Sequence, residues 1–568
     1  MMDRLKALWV VPAIALALAA CSDSNNDNGG TGPTPVAAPT NLAVTQLSLT
    51  SLQVSWTAAS GATSYLLQRA SASNPGVFTQ IGGGVLAATS FSDTGLTPTV
   101  AYSYRVASVT ASDTSGFTSA VTAATGVSAA TISGNITTNR TLYADTLYTL
   151  SGYVKVQSGA TLTIEPGTKI VGDTGVLGSS LWILRGAKID AQGTVTQPIV
   201  FTSARAPGNR KPGDWGGLII IGNGIINRTG SPILTEGGSA GVAEDYSGGT
   251  DNNDNSGILK YVRIEFAGYD ISNGAGQELN TLSSYAVGRG TTYEYLQSMS
   301  GLDDSFEFWG GAVDGRYLVS YESGDDHFDW TEGYQGRMQF MLALQTQRLN
   351  PAPGAGTFSG DPRGFEGDGC DPGVSGCTVT ATGTSTPYSN PVFANFTMVG
   401  PGQLAGIPND GNGGVWRRGT GGYVANGVLS RWKGYGISIR DAWTDTLFTQ
   451  LDSLSFYSII MAQNGPGGNF DTTGTAYAAP SNWPIAQYNS LKLYSSSVSV
   501  DTLLGISTNP AGLNWAPKAG SPAASGATAV PAAKVSGYFG GTWQNTSYLG
   551  ACDVVCTWYQ GWTVYQIN

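Results

Sequence analysis

Asp303-Asp304-Ser305-Phe306-Glu307-Phe308 returns further along the chain as Asp325-Asp326-His327-Phe328-Asp329-Trp330, an interval of 325 − 303 = 22 residues. Carboxylates brought together by such a repeat have three chemical uses. They chelate a hard cation, they share a proton and so furnish an acid and a base, or they hold backbone N–H groups at tight corners. In an extended segment, Phe306, Phe308, Phe328 and Trp330 point inward and Ser305 and Glu307 outward. Stacking in register then sets Asp303 beside Asp325, Glu307 beside Asp329 and Ser305 beside His327, roughly 5 Å apart at the backbone. Two carboxylates at that spacing repel by about 1 kcal/mol in water and by several times more when partly buried. Something must compensate: Ca²⁺ held by Asp303, Glu307, Asp325 and Asp329, a shared proton, or Arg316 and Arg337. Asp303, Glu307, Asp325, Asp326 and His327 form the candidate catalytic set. Asp304 and Asp326 have inward parity, which suits the acceptance of backbone N–H bonds at a corner.

A 22-residue unit cannot bury a core of its own. It contains short β-rich runs, Arg316 to Tyr321 and Arg337 to Leu342, broken by Gly311, Gly315, Gly324, Gly333 and Gly336. Stacked on copies of itself, it encloses an apolar column and satisfies its backbone between rungs, which is a parallel β-helix. Gly159-Ala160-Thr161-Leu162, Gly167-Thr168-Lys169-Ile170 and Gly186-Ala187-Lys188-Ile189 repeat the same turn-then-strand unit. Lys260 to Phe266 alternates with period two, and helical periodicity of comparable strength is absent.

Composition limits the partners. The chain has 568 residues, 79 Gly, 26 Tyr, 14 Trp and 12% charged residues, too apolar and aromatic for disorder. A formal net charge of −11 argues against nucleic acid and an anionic membrane surface as partners, because both need clustered Lys and Arg. Cysteine use fits an oxidising compartment. Cys370 with Cys377 and Cys552 with Cys556 are expected to form two local disulfides, since neither pair has the CxxC spacing of a zinc site. A single histidine in the chain argues against histidine-based zinc catalysis.

The first residues read as an address. Arg4 and Lys6 precede an apolar run from Ala7 to Leu18, the layout of a signal peptide over residues 1–20. Leu18-Ala19-Ala20-Cys21 resembles the bacterial lipobox, which implies lipid attachment at Cys21, and the following Ser22 is similar to lipoproteins sent to the outer membrane. The membrane is then a partner through the lipid anchor. Residues 21–36, polar and rich in Gly and Pro, make a flexible tether. Over 37–126, short alternating strands, Trp56 and a Leu96-Thr97-Pro98-Thr99 turn before Tyr102 resemble a fibronectin type III domain, with Tyr102 at its tyrosine corner. Core packing is the expected role of Trp56 and Tyr102, and a spacer that of the domain.

Residues 127–568 are assigned to a long right-handed β-helix, so the fold class is all-β. Leu513-Asn514, Gly520-Ser521-Pro522-Ala523 and the Trp558 to Thr563 tail look like the closing segment of bacterial extracellular β-helix proteins. With Gly213-Asp214-Trp215-Gly216-Gly217 and the Asp-Asp-x-Phe pair, they resemble bacterial surface lipoproteins with a pectate-lyase-like β-helix. Asp-Asp pairs on neighbouring rungs also resemble polygalacturonase-type glycoside hydrolases. That family's Gly-His-Gly is absent, and Arg431-Trp432-Lys433 matches its Arg-x-Lys only loosely. Arg205-x-Pro207-x-x-Arg210 resembles the Arg-Pro-Arg of pectate lyases but sits in a Gly/Pro loop ahead of the acidic rungs. Gly237-Gly238-Ser239-Ala240-Gly241 fits G-x-S-x-G without the required strand-to-helix turn. Asp251 to Asn255, and Glu366, Asp368 and Asp371, read as solvated acidic loops. Trp416, Trp432, Trp443 and Trp483 are candidates for sugar stacking in a groove, against core packing as the alternative. Three function classes follow: a surface module contacting glycan or a partner protein, a polysaccharide-degrading enzyme, and a structural envelope protein.

Overall fold

The computed structural model describes residues 35–566, except 49, 73, 99, 127, 238–240, 273–276, 360, 404–410 and 475–476. The signal segment, the lipobox with Cys21 and nearly all of the tether lie outside the described residues, as do Ser239 and Thr99. Among the described residues no helix is long and apolar enough to cross a membrane. The chain divides into two units, 1–126 and 127–568.

The first unit is an antiparallel sandwich. One sheet pairs Thr40–Ser48, Ser51–Thr57 and Ser90–Thr94; the other pairs Thr79–Gln80, Ser64–Ser71, Ala101–Val109 and Val121–Ala124. Alternation along Ser51–Thr57 sends Leu52, Val54 and Trp56 into the core, where Trp56 meets Tyr65 edge-on at 5.4 Å. The Tyr102 hydroxyl accepts the Thr97 N–H at 3.0 Å, which closes the tyrosine corner. Asp93 is buried, yet Arg69 (2.9 Å) and the Tyr104 hydroxyl (2.8 Å) satisfy it.

The second unit is a parallel β-helix. Its rungs pair only in parallel: Leu282–Tyr285 on Phe306–Trp309, and Phe306–Trp309 on Phe328–Thr331, with Phe306 opposite Phe328 and Glu307 opposite Asp329. A longer sheet carries Gly257–Glu265, Thr292–Met299, Asp314–Tyr321, Arg337–Leu344, Val392–Val399, Gly422–Ser430 and Leu454–Ala462 in that order. The inward residues stack, Phe306 on Phe328 at 5.1 Å along the short strands and Phe365 of a short strand on Phe393 of the long sheet at 5.3 Å.

Each long strand bends once, and the same structural position makes the bend on every rung. Tyr261, Tyr295, Tyr317, Phe340, Asn395, Asn426 and Ser458 all have left-handed backbones, with φ between +49° and +62°. A non-glycine residue there is disfavoured by roughly 1–2 kcal/mol. On four successive rungs the rings stack at 4.3, 4.5 and 5.0 Å, and each pair contributes about 0.5–1.5 kcal/mol. On the next rungs asparagine takes over, which tolerates this conformation. Further left-handed corners lie at Phe266, Ser300 and Glu322, and at Ala286, Gly310 and Glu332.

Helix is not wholly absent. Ala442–Thr449 is a helix capped by Asp441, whose side chain accepts the Trp443 and Thr444 N–H groups; it packs Leu447 and Phe448 into the core. The disulfides Cys370–Cys377 and Cys552–Cys556 are both formed.

Candidate functional site

The outward face of the short strands makes the floor of a cleft of about 380 Å³. Because residues of one parity share a face, Tyr285, Glu307, Trp309, Asp329 and Thr331 all line it. The walls are insertions between rungs. One runs from Arg228 to Tyr246, and the other is the loop after Asp368 that Cys370–Cys377 braces. They meet where the Thr229 N–H donates to Gly376 O (3.0 Å) and Arg228 Nε to Ser375 O (3.0 Å).

Charge is divided unevenly across the floor. Glu366 and Asp368 are buried but paired: Glu366 with Arg363 and Arg417, Asp368 with Arg417 (2.8 Å) and Arg418 (2.5 Å). These guanidiniums hold Glu366 below its ordinary range against the burial that raises it. On the other half no arginine pairs with Glu307, Asp329 or Glu236 among the described residues. Burial, followed by Glu236, Asp329 and Asp303, pushes the Glu307 carboxyl well above its usual range, while Asn280 Nδ2, donating at 2.6 Å, opposes this. Asp329 is raised by burial, Glu366 and Asp368, and Glu236 by burial and Glu278.

The repeated acids therefore separate into three environments. Glu307 and Asp329 lie in the open cleft. Asp303 and Asp325 lie at the preceding corner, where Ser359 reaches over: the Ser359 N–H donates to Gly324 O (3.2 Å), and the Ser359 side chain reaches Asp325. Burial and Glu366 push Asp325 up to about 6 against Arg363 and Ser359, and its Oδ1 is buried without a hydrogen-bond partner among the described residues. Asp304 and Asp326 serve the corners. Asn280 Oδ1 accepts the Asp304 N–H (3.0 Å), Asp304 Oδ1 the Asp326 N–H (2.7 Å), and Asp326 Oδ1 the Arg363 N–H (2.5 Å).

Several expected placements differ. Ser305 and His327 face inward, because the strands begin only at Phe306 and Phe328 and strand parity does not extend back through the turn. His327 is fully buried, with Nδ1 2.5 Å from Ser320 Oγ and its ring 5.9 Å from Trp432. Burial drives it down to about 3, so it stands apart from the acidic row. Arg316 and Arg337 do not compensate that row; they pair with Glu294 and Asp314 on the long sheet. Glu366 and Asp368 belong to the strand Phe365–Asp368 rather than to a solvated loop. In the Asp251–Asn255 run, Asp254 and Asn252 accept backbone N–H bonds from Asn223 (3.1 Å) and Ile225 (2.8 Å).

The tryptophans are core residues in the main. Trp416 and Trp432 are 0% and 1% exposed, and neither offers a face to a ligand. Trp416 packs on Phe456 at 4.7 Å, and Trp483 on Phe448 and Phe470 at 5.0 Å each. Trp443 is half-buried against the same core. Glu236, Tyr246 and Trp309 line the cleft instead. Their signal in the sequence is faint: Trp309 follows the repeated motif directly, but Glu236 and Tyr246 arrive on an insertion with no repeat to place it.

Chemically the cleft offers two things. Asp304, at the buried corner beside the floor, and Glu307 and Asp329 of the floor each present a carboxylate oxygen, all within 4.8 Å of one another, and Asp329 Oδ1 is buried without a hydrogen-bond partner among the described residues; this suits a hard divalent cation. Glu236 and Glu307 are carboxyls of raised affinity for protons on a wall and on the floor, which suits acid–base chemistry.

Comparison with known proteins agrees with this architecture. Residues 37–125 match the fibronectin type III domain family. Similar solved structures include the FN5 domain of Drosophila Lar (25% identity, 16% of this chain and 96% of that one, TM-score 0.14). Another is an Fn3-like protein from Clostridium thermocellum (26% identity, 16% and 92%, TM-score 0.14). No curated protein matches. Residues 134–477, which include every rung beneath the cleft, match the family model described as a pectate-lyase like beta helix domain, and the chain belongs to that family.

Proposed function

We propose that this is a lipid-anchored surface protein whose β-helix binds an extracellular polysaccharide in the acidic cleft, with the fibronectin type III domain as a spacer. The two domain types fit a surface or glycan-related protein. The observation that carries the reading is a cleft of about 380 Å³ with polar planar groups on every side: Glu307 and Asp329 on the floor, Glu236 and Arg228 on one wall, Arg417 and Arg418 near the other. Carboxylates and guanidiniums in that arrangement match the paired hydroxyls of a sugar ring. The unpaired acids favour neutral or amine-bearing sugars over uronates. Ca²⁺ on Asp304, Glu307 and Asp329 is the companion proposal, because it relieves the repulsion between these groups.

A second reading, hydrolysis, is favoured by the raised Glu236 and Glu307 carboxyls in the same cleft, one to donate a proton and the other to act as base or nucleophile. Screening the full chain on a glycan panel, with Ca²⁺ and with chelator, tests these readings together. Binding should fall about tenfold in Glu307→Gln and Asp329→Asn, equivalent to roughly 1.4 kcal/mol. Retention of no glycan, or equal retention by both variants, rejects the cleft as the site. Release of reducing ends that vanishes in Glu236→Gln and Glu307→Gln supports hydrolysis. The anchor is tested by metabolic labelling with palmitate, which Cys21→Ser should abolish.

A further inference from the structure

In a chain of net charge −11, one pocket of the β-helix unit is cationic. It measures about 470 Å³ and is lined by Arg289, Arg337 and Lys534, with Asn253 and Ser536 beside them. Each cation is fixed differently. Arg289 precedes the strand Thr292–Met299; its N–H donates to Asn252 O (2.8 Å) and its Nη2 to Gln335 O (2.8 Å), while its buried Nε has no hydrogen-bond partner among the described residues. Arg337 is itself buried. Its Nε donates to Asp314 Oδ1 (2.9 Å) and its Nη1 to Ser536 O (2.5 Å). Lys534 comes from the C-terminal segment and lies 5.4 Å from the Tyr423 ring; it forms no ion pair among the described residues.

Arg289 and Arg337 thus share one carboxylate, Asp314, which Arg337 already holds, and Lys534 adds a third cation to the pocket lining with no ion-pair partner among the described residues. Arg289 carries the remainder of the imbalance: burial lowers its proton affinity, Asp314 opposes this, and Arg337 adds repulsion. An anion entering the pocket would give Arg289 the kind of partner that Asp314 gives Arg337.

We propose that this pocket binds the oxyanion of a sugar unit, the carboxylate of a uronic acid or the sulfate of a sulfated sugar, at a site separate from the acidic cleft. Guanidinium groups pair with two oxygens of one carboxylate or tetrahedral oxyanion through two parallel hydrogen bonds. The volume lies in the range of small-ligand sites, larger than a bare ion needs, and Asn253 and Ser536 supply polar groups for ring hydroxyls. The two sites also select oppositely: the cleft repels an anionic sugar and this pocket attracts it.

Calorimetric titration of the full chain with glucuronate, glucose 6-sulfate, glucose and inorganic sulfate tests the assignment. One or both anionic sugars should bind and glucose should not. Lys534→Gln and Arg289→Gln should each weaken that binding about tenfold, and Glu307→Gln, in the cleft, should leave it unchanged. The last comparison separates failure of this proposal from failure of the cleft reading. Lys534 is partly exposed, so its variant decides the matter if the Arg289 variant does not fold. Absence of binding by both anionic sugars, or equal binding by Lys534→Gln and the unaltered chain, overturns the proposal. Inorganic sulfate binding as tightly as the sugars would mean an adventitious ion only, and overturns it too.

Discussion

At the scale of single residues, the repeated acids are one sequence motif with three physical fates, and the difference is what lies next to each carboxyl. Asp326 is buried yet partnered, because it accepts the Arg363 N–H and pairs with the Arg363 guanidinium at 3.2 Å, although burial and Asp325 still hold it well above its ordinary range. Glu307 and Asp329 lack such a partner, and their repulsion is stored in the fold. The sign of its pH dependence follows. Asp325 is pushed up to about 6 and Glu322 up to about 7, both chiefly by burial, and burial raises Asp303, Glu307 and Asp329 as well. A folded state that holds protons more tightly than the unfolded chain gains stability below the unfolded carboxyl value near 4 and loses it as pH rises through the folded values. Glu366 and Asp245, shifted down, contribute with the opposite sign, but the raised carboxyls outnumber them, Glu236, Asp304 and Asp326 among them. The melting temperature should therefore rise by about 2 °C or more between pH 8 and pH 5, with a shallower slope in Glu307→Gln. Ca²⁺ at pH 8 should raise it in the unaltered chain and less in the variant. Differential scanning calorimetry across that range checks this, and a melting temperature that falls steadily on acidification would show that the cluster is not repulsive. The motif made the acids visible; their fates were not legible, because Arg363, Arg417 and Ser359 reach them from segments that no repeat links to residues 303–329.

Elements show the same division between local and non-local information. The 22-residue interval is a true rung repeat, and the inward phenylalanines were readable from period two alone. Beyond the second copy the interval between paired strands lengthens, to 365 − 328 = 37 residues, because insertions leave the coil between rungs. Those insertions build the cleft, and a loop that leaves and rejoins a rung announces its length but not the surface it covers. The wall carrying Asp371 and Val374 is one such insertion, tied at its base by Cys370–Cys377 and buttressed by Arg228. A short disulfide loop constrains the unfolded chain by roughly 2–3 kcal/mol, and here that constraint acts on a wall rather than on the core. The double variant Cys370→Ser, Cys377→Ser should accordingly keep its β-rich circular dichroism, become cleavable by protease within 371–376, and lose glycan retention in the cleft by about tenfold. Cleavage no faster than in the disulfide-bonded chain would mean that the hydrogen bonds from Thr229 and Arg228 hold the wall unaided.

Over the whole β-helix unit, the coil is a one-dimensional stack in which each rung touches chiefly its neighbours, and the C-terminal segment is the exception. It runs back along the long sheet and bonds rung after rung: Arg263 Nη1 to Trp562 O (2.9 Å), Gln297 Nε2 to Val564 O (2.6 Å), Gln339 Nε2 to Gln544 O (2.6 Å), and Asn426 Nδ2 to Thr528 O (2.9 Å). Phe266, Met299, Tyr321, Leu344, Val399 and Ile460 form an outward apolar stripe that this segment covers with Leu549, Tyr559 and Trp562. The stripe explains why the strands of the long sheet are apolar on both faces, which defeats an inside-outside reading by alternation. Trp562 is the central contact. It is fully buried, donates Nε1–H to Trp558 O (2.8 Å), and meets Tyr261 and Tyr295 edge-on at 5.8 and 6.0 Å. Replacing a buried tryptophan by alanine removes about 3–5 kcal/mol. In a stack whose rungs hold one another independently, that loss should fall on the clasp before it reaches the coil. Trp562→Ala is thus expected to bind a hydrophobic dye along the uncovered stripe and to be cut by protease between residues 500 and 566. The β-rich circular dichroism of the rungs should persist at temperatures where the clasp has opened. If the clasp and the coil instead melt together in one transition, the segment is part of the cooperative core, and the rungs depend on it for their stability as much as on one another.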